Sequence, residues 1–271
     1  MAATILRNPT RKGWVRDQPD HRDYLYHERV QVMAPAALPL THRLVSGMPG
    51  IYDQLQLSGC VGNGVARVME YQENVQGEHA STPSRLFIYG NARKIGGNYA
   101  TDTGAQIRDG IKGVVTWGAP PETLWPYSDA NPGPFNAVIP QSVYAAGAKE
   151  KAITYSKVIV GSPGAPMRTA LYHNNPIVYG FSVPSYFEDG TWDPTKQFLP
   201  LPTAQTGFIG GHCCVITGYD FSMATYSVPV FEIDNSWGLM WGMAGRFMMD
   251  CRWFDVGSQL ATDLWVVERA S

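Results

Sequence analysis

Cys60 is the side chain in this sequence best placed to act as a nucleophile. It ends the run Tyr52-Asp53-Gln54-Leu55-Gln56-Leu57-Ser58-Gly59-Cys60. Behind it Val61, Val65, Val68, Met69 and Gln72 recur at helical spacing toward a stop at Gly77. A thiol at a helix N-terminus meets unsatisfied backbone N–H groups and the positive end of the helix dipole, and both favour thiolate. The plain alternative is a small buried core side chain. Two distant stretches weigh against that alternative. Gly210-Gly211-His212-Cys213-Cys214-Val215-Ile216-Thr217-Gly218-Tyr219 puts a histidine at the mouth of an apolar strand, and Asp234-Asn235-Ser236-Trp237-Gly238, followed by Trp241-Gly242, puts an asparagine beside a tryptophan. An imidazole near a thiol takes its proton and later protonates a leaving amine. An asparagine oxygen fixes the tautomer and orientation of that imidazole, and an indole shields their hydrogen bond from water. A tetrahedral intermediate needs donors for its oxyanion; the Cys60 backbone N–H and the side-chain amide of Gln54 are the candidates. The expected catalytic set is therefore Cys60, His212, Asn235 and Gln54.

These residues resemble the papain-like cysteine peptidases. The family pattern of a glutamine, a cysteine six residues on that opens the central helix, Gly-His with Gly-Tyr, and Asn-Ser-Trp-Gly with Trp-Gly appears here as Gln54, Cys60, Gly211-His212 with Gly218-Tyr219, and Asn235-Ser236-Trp237-Gly238 with Trp241-Gly242. Trp125-Pro126-Tyr127 is similar to the family's Tyr-Pro-Tyr segment at the lobe junction, and Asp20-His21-Arg22-Asp23-Tyr24 is similar to a stretch near the N-terminus of compact bacterial and viral members. The resemblance covers roughly residue 38 to the C-terminus. There are departures. The usual Gly-Ser-Cys-Trp is Ser58-Gly59-Cys60-Val61, and Leu57 stands where the family carries a disulfide cysteine. The separations from Cys60 to His212 and Asn235 run somewhat past the roughly 130–150 residues usual for such enzymes. The segment ahead of the domain is much shorter than the family's inhibitory pro-segments.

The resemblance implies an α+β fold of two lobes, a helical left lobe and an antiparallel β-barrel-like right lobe, with the cleft between them. It implies hydrolysis of peptide bonds through a Cys60 acyl-enzyme, with no cofactor and no metal. Gly210, Gly211 and Cys213 flank His212 where the family lines the pocket for the second residue before the scissile bond, and small side chains there imply room for a bulky apolar residue. Thr103-Gly104 is one candidate for the opposite wall, and Gly96-Gly97 is the other. Gly59 and Trp237 complete the expected substrate contacts. Two other readings share these residues: an acyltransferase, peptide ligase or cyclase that uses the same Cys-His-Asn site, and an inactive peptide-binding module.

The elements that must position these residues follow from pattern and composition. With 271 residues, 44% hydrophobic and 16% charged, the chain has the material for one large domain or two fused lobes. At a net charge of −2 nothing suggests a polyanion-binding surface, so nucleic acid is not an expected partner. The four cysteines, Cys60, Cys213, Cys214 and Cys251, form no CxxC pair and no disulfide framework; Cys213 and Cys214 are expected on opposite faces of one strand. The first 14 residues are basic in part and lack the apolar core of a secretory signal, and no apolar run is long enough to span a membrane. A cytoplasmic location is expected, with export by an unconventional route left open; the expected partner is a peptide or protein substrate, and the oligomeric state is not readable. Residues 1–37 read as an N-terminal extension, either a surface strap or a cover for the cleft, followed by a peptidase domain over 38–271, its helical lobe about 51–130 and its β lobe about 140–271. Ser81-Thr82-Pro83 reads as the cap of a helix through about Arg93, and Asp102 or Thr103 as the cap of a third helix reaching Trp117. Short helices are expected near 141–149 and 166–173, and strands over 153–160, 177–183, 213–219, 230–235, 246–249 and 264–267. Residues 184–209 read as a long functional or mobile insertion.

Overall fold

The computed structural model describes residues 12–78, 81–130, 133–149, 153–159, 164–187, 192, 193, 195 and 198–269. Helices α1 (Tyr26–Arg29), α2 (Cys60–Val75), α3 (Arg85–Ile95), α4 (Ile107–Trp117), α5 (Gln141–Gly147) and α6 (Ala165–Tyr172) alternate little with strands: the first half of the chain is helical and the second half is mostly sheet. Strands β1 (Thr41–Arg43), β2 (Ile153–Lys157), β3 (Ile177–Pro184), β4 (Phe208–Asp220), β5 (Val230–Asp234), β6 (Arg246–Asp250) and β7 (Ala261–Arg269) form one antiparallel sheet in the order β2-β7-β3-β4-β5-β6, with β1 added to β4. The sheet is open, with β2 and β6 at its edges. This is the expected two-lobe α+β arrangement.

The sheet's alternation sorts the core. Val178 of β3 and Cys213 and Val215 of β4 face α2 and its neighbours, in one cluster with Val61, Val65, Ile111 and Trp265. Tyr179, Phe181, Cys214 and Ile216 point the other way and pack with Phe231, Phe247 and Trp253. Cys213 and Cys214 thus lie on opposite faces, and all four cysteines are free thiols. α2 is buried from Cys60 to Glu73, so its polar members must find partners within the protein. Arg67 does so through Asp234, the last residue of β5, with Nε at 3.0 Å and Nη2 closer still.

Two local expectations need correction, and a third stretch has residues in the core. α3 is capped by Ser84, whose hydroxyl accepts from the Phe87 N–H at 3.2 Å, and not from the Ser81-Thr82-Pro83 stretch. α4 begins after Gln106 without a side-chain cap, because Asp102 is used elsewhere: its carboxylate accepts from the Ser58 N–H at 3.0 Å and from the Tyr89 hydroxyl at 2.6 Å. Of the 184–209 insertion, the described residues are partly core. Trp192 stacks on Phe187 at 5.2 Å, Leu199 is buried, and Phe208 and Ile209 already belong to β4.

Candidate active site

Cys60 is the first residue of α2 and is fully buried. Gly59 before it has no room for a side chain, since a Cβ there would stand 2.5 Å from the Tyr127 hydroxyl. That hydroxyl donates to the Gln54 carbonyl at 3.0 Å, tying the Trp125-Pro126-Tyr127 segment to the loop before the thiol. The Gln54 side chain is held at both ends. Its Oε1 accepts from the Ser236 hydroxyl at 2.6 Å, and its Nε2 donates to the Leu57 carbonyl at 2.9 Å, which leaves one amide hydrogen uncommitted. The Gln54 backbone N–H also donates to the Ser236 carbonyl, so the loop before Cys60 and the Asn235-Ser236-Trp237 segment are stitched directly together.

His212 sits in β4, fully buried, with Nε2 2.7 Å from Asn235 Oδ1. The orientation of the Asn235 amide is fixed independently, because Oδ1 also accepts the Ser236 backbone N–H at 2.8 Å. An oxygen at that position requires His212 Nε2 to be the protonated nitrogen. Nδ1 is then the bare one; it is buried and has no hydrogen-bond partner among the described residues. Trp237 lies against the imidazole, ring centroids 4.8 Å apart, and Phe181 meets it edge-on at 5.9 Å.

The N-terminal segment crosses this site. Desolvation pushes the Cys60 thiol up to about 11, against a smaller lowering by the nearby backbone amides of Cys213, Gly13, Val61 and Cys60 itself. His212 is moved the other way, down to about 4, by desolvation against the opposing Asn235 hydrogen bond, with a further lowering from Lys12. Burial thus disfavours the charged form of both groups. The segment pairs with the wall of the helical lobe as a short parallel bridge at Trp14 and Ala105. Ala105 N–H donates to the Gly13 carbonyl at 2.8 Å, and Val15 N–H donates to the Ala105 carbonyl at 3.0 Å. On the opposite wall the Trp14 N–H donates to the Gly211 carbonyl at 3.1 Å. Gly13 is obligatory here, since a Cβ on it would strike the Ser58 carbonyl oxygen at 1.8 Å.

Among the residues singled out from sequence, Gly59, Gly104, Gly210, Gly211 and Cys213 surround this crossing. Gly104, at φ +82, packs under the Gly13 carbonyl, and Lys12 lies over Gly210. Thr103 does not join them; its hydroxyl accepts from Asn98 Nδ2 at 2.6 Å. The paired wall is therefore 104–105, whereas Gly97 has open space around it. Trp237 belongs with His212. Sequence reasoning missed Ala105, Gly180, Asp17 and Asp263. The indole of Trp14 fills a pocket floored by Gly180 and Gly211, and its Nε1 donates to Asp263 Oδ2 at 3.2 Å. Nothing local marks these residues, which come from four separate parts of the chain; only the paired glycines hinted at a cavity.

No family model matches the chain. Among solved structures it is similar to xylellain, a cysteine protease from Xylella fastidiosa, at 30% identity and a TM-score of 0.85, over 99% of this chain and all of the other. A peptidase C1-like protein of Acanthamoeba polyphaga mimivirus is 28% identical over 99% of this chain and 89% of its own length. The fold, though little of the sequence, is shared with procathepsin B S9 from Trypanosoma congolense, at 15% identity and a TM-score of 0.64, over 97% of this chain and 88% of the other. By fold, order of motifs and relatives, the chain belongs to the papain-like cysteine peptidases.

Proposed function

We propose that this cysteine peptidase cleaves peptide bonds through a Cys60 acyl-enzyme. His212 Nδ1 takes the thiol proton and then delivers it to the leaving amine. Asn235 holds the ring in the tautomer that leaves Nδ1 bare. The Cys60 N–H and the uncommitted Gln54 amide hydrogen receive the oxyanion. The observation that carries this reading is the doubly fixed Asn235 oxygen against His212 Nε2, which leaves Nδ1 bare and buried without a hydrogen-bond partner among the described residues. A test is to quench the protein in acid within one turnover of an activated ester. The Cys60 peptide should gain the mass of the acyl group, and Cys60→Ser should gain none. Peptide cleavage that survives complete alkylation of Cys60 would sink the reading.

The same reading makes residues 12–17 a built-in cover, hereafter the strap, over a peptidase domain beginning near residue 38. Its support is that the strap's backbone is bonded to both walls of the site: the Gly13 carbonyl accepts from the Ala105 N–H and the Trp14 N–H donates to the Gly211 carbonyl.

A further inference from the structure

The two oxyanion donors share a support that lies behind them. Arg85 is the first residue of α3, set there by the Ser84 cap. Its side chain is only 13% exposed, and Glu122 meets its charge in a two-point contact, Nε to Oε2 at 2.7 Å and Nη2 to Oε1 at 2.6 Å. The guanidinium also lies between two rings, 4.8 Å from the centroid of Tyr52 and 4.4 Å from that of Tyr127. Carboxylate and rings together fix its plane, and Nη1 is the nitrogen left over. Nη1 donates to the Asp53 carbonyl and to Asn63 Oδ1, each at 3.1 Å.

Each of those acceptors leads to one oxyanion donor. The Asp53 C=O and the Gln54 N–H belong to a single planar peptide group. Arg85 holds its oxygen, and its N–H donates to the Ser236 carbonyl at 2.8 Å, so the group from which the Gln54 side chain departs is clamped at both ends. The Gly59 C=O and the Cys60 N–H likewise share one peptide group. A guanidinium can only donate, so Arg85 turns the oxygen of the Asn63 amide toward itself and the NH2 away. That Nδ2 donates to the Gly59 carbonyl at 2.8 Å, on the far side of the plane that carries the Cys60 N–H. Tyr127, stacked on the guanidinium, adds the hydroxyl that holds the Gln54 carbonyl.

We propose that Arg85 is a positioning residue for the oxyanion hole: its Nη1 holds the peptide groups of both donors and so fixes the spacing between the Gln54 amide and the Cys60 N–H. The inference rests on the peptidase reading and deepens it, since Arg85 acts only through Asp53, Asn63 and Tyr127.

The full-length protein is compared with two variants. Arg85→Lys keeps a cation beside Glu122 but lacks the planar fork that serves Glu122, Asp53 and Asn63 at once. Arg85→Met combined with Glu122→Leu removes the pair together and leaves no buried charge unmatched, which keeps the test open should the lysine variant fail to fold. Three quantities are read: kcat and KM on one peptide, Ki of the matching peptide aldehyde, and the rate at which methyl methanethiosulfonate modifies Cys60, followed by the mass of its peptide. The aldehyde adds the Cys60 S–H across its carbonyl, and the resulting oxygen sits where the oxyanion would. The thiosulfonate passes its methylthio group to the sulfur and expels methanesulfinate, so it builds no such oxygen. Both variants should lower kcat and raise the aldehyde Ki by about tenfold or more. KM and the thiosulfonate rate should change by less than about twofold, the pattern of an interaction made only in the transition state. An aldehyde Ki that neither variant moves, or one that moves in step with KM and the thiosulfonate rate, overturns the proposal. If the aldehyde shows this dependence on Arg85 but no peptide is cleaved, the peptidase reading fails and the role of Arg85 stands.

Discussion

The proton on His212 is decided by a backbone amide. Asn235 Oδ1 is pinned by the Ser236 N–H, so Asn235 cannot present its NH2 to the imidazole without abandoning that bond. The ring is consequently held as the Nε2–H tautomer, in a site whose burial keeps its pKa down at about 4. Replacing the neutral acceptor with a carboxylate should reverse that balance, because a negative charge beside the ring favours imidazolium. Asn235→Asp is therefore expected to raise the His212 pKa well above its native value, read from the ring resonances in an NMR titration. A titration midpoint that stays where it was would mean that Asn235 does not control the ring.

At the scale of elements, the two halves of the site are joined by α2 and β5. Arg67 lies two turns beyond Cys60 on α2, and Asp234 immediately precedes Asn235. Their buried ion pair is extended by Arg246 Nε at 2.8 Å and the Thr217 hydroxyl at 3.3 Å, both on the second carboxylate oxygen of Asp234. Removing one member of a buried pair leaves the other charge exposed to a poor solvent, at a cost of about 3–5 kcal/mol. Arg67→Met should fall near the lower end, about 3 kcal/mol, since Arg246 remains; the urea midpoint measures it, and a loss under about 1 kcal/mol would contradict the role of the pair. These elements also set what was readable beforehand. α2 was plain from its 3.6-residue periodicity, and β3 to β7 from their apolar runs, because both patterns are local. The caps at Ser84 and Gln106 were misplaced because Asp102, a good cap by type, is drawn into a tertiary contact with Ser58 and Tyr89. His212 and Asn235 were legible as motifs. Asp263 was not, since it lies beside a register shift between β3 and β7, and neither strand carries that alone.

For the molecule as a whole, the strap is anchored on both lobes by groups that titrate. Asp17 accepts from Trp265 Nε1 at 2.9 Å and from the Arg108 N–H at 3.2 Å, yet it is pushed up to about 6, first by burial and then by the like charge of Asp263. Asp263, raised by its own burial, feels Lys157 from β2 and Arg16 from the strap as opposing positive charges. The sign follows from the docked carboxyl holding its proton more tightly than the free one. Docking is strongest below about pH 4, where Asp17 is protonated in both states. It weakens as pH rises toward about 6 and stays weaker above, by about 2–3 kcal/mol. Exchange protection at residues 13–17, corrected for intrinsic rates, should be greater at pH 4 than at pH 7. Protection that is equal or greater at pH 7 would refute the acid-pair account.

The bridge between Trp14 and Ala105 has one more consequence. Ala105 has a single N–H and a single C=O, and the strap holds both. On the proposed reading of residues 12–17 as a cover, a peptide that seeks the same wall must wait for them to be released. Because the strap is part of the same chain, its local concentration is fixed by the tether and not by how much protein is present. Dilution frees an enzyme from a separate inhibitor but would leave this one covered, so on that reading progress curves should open with a lag of the same length at every enzyme concentration.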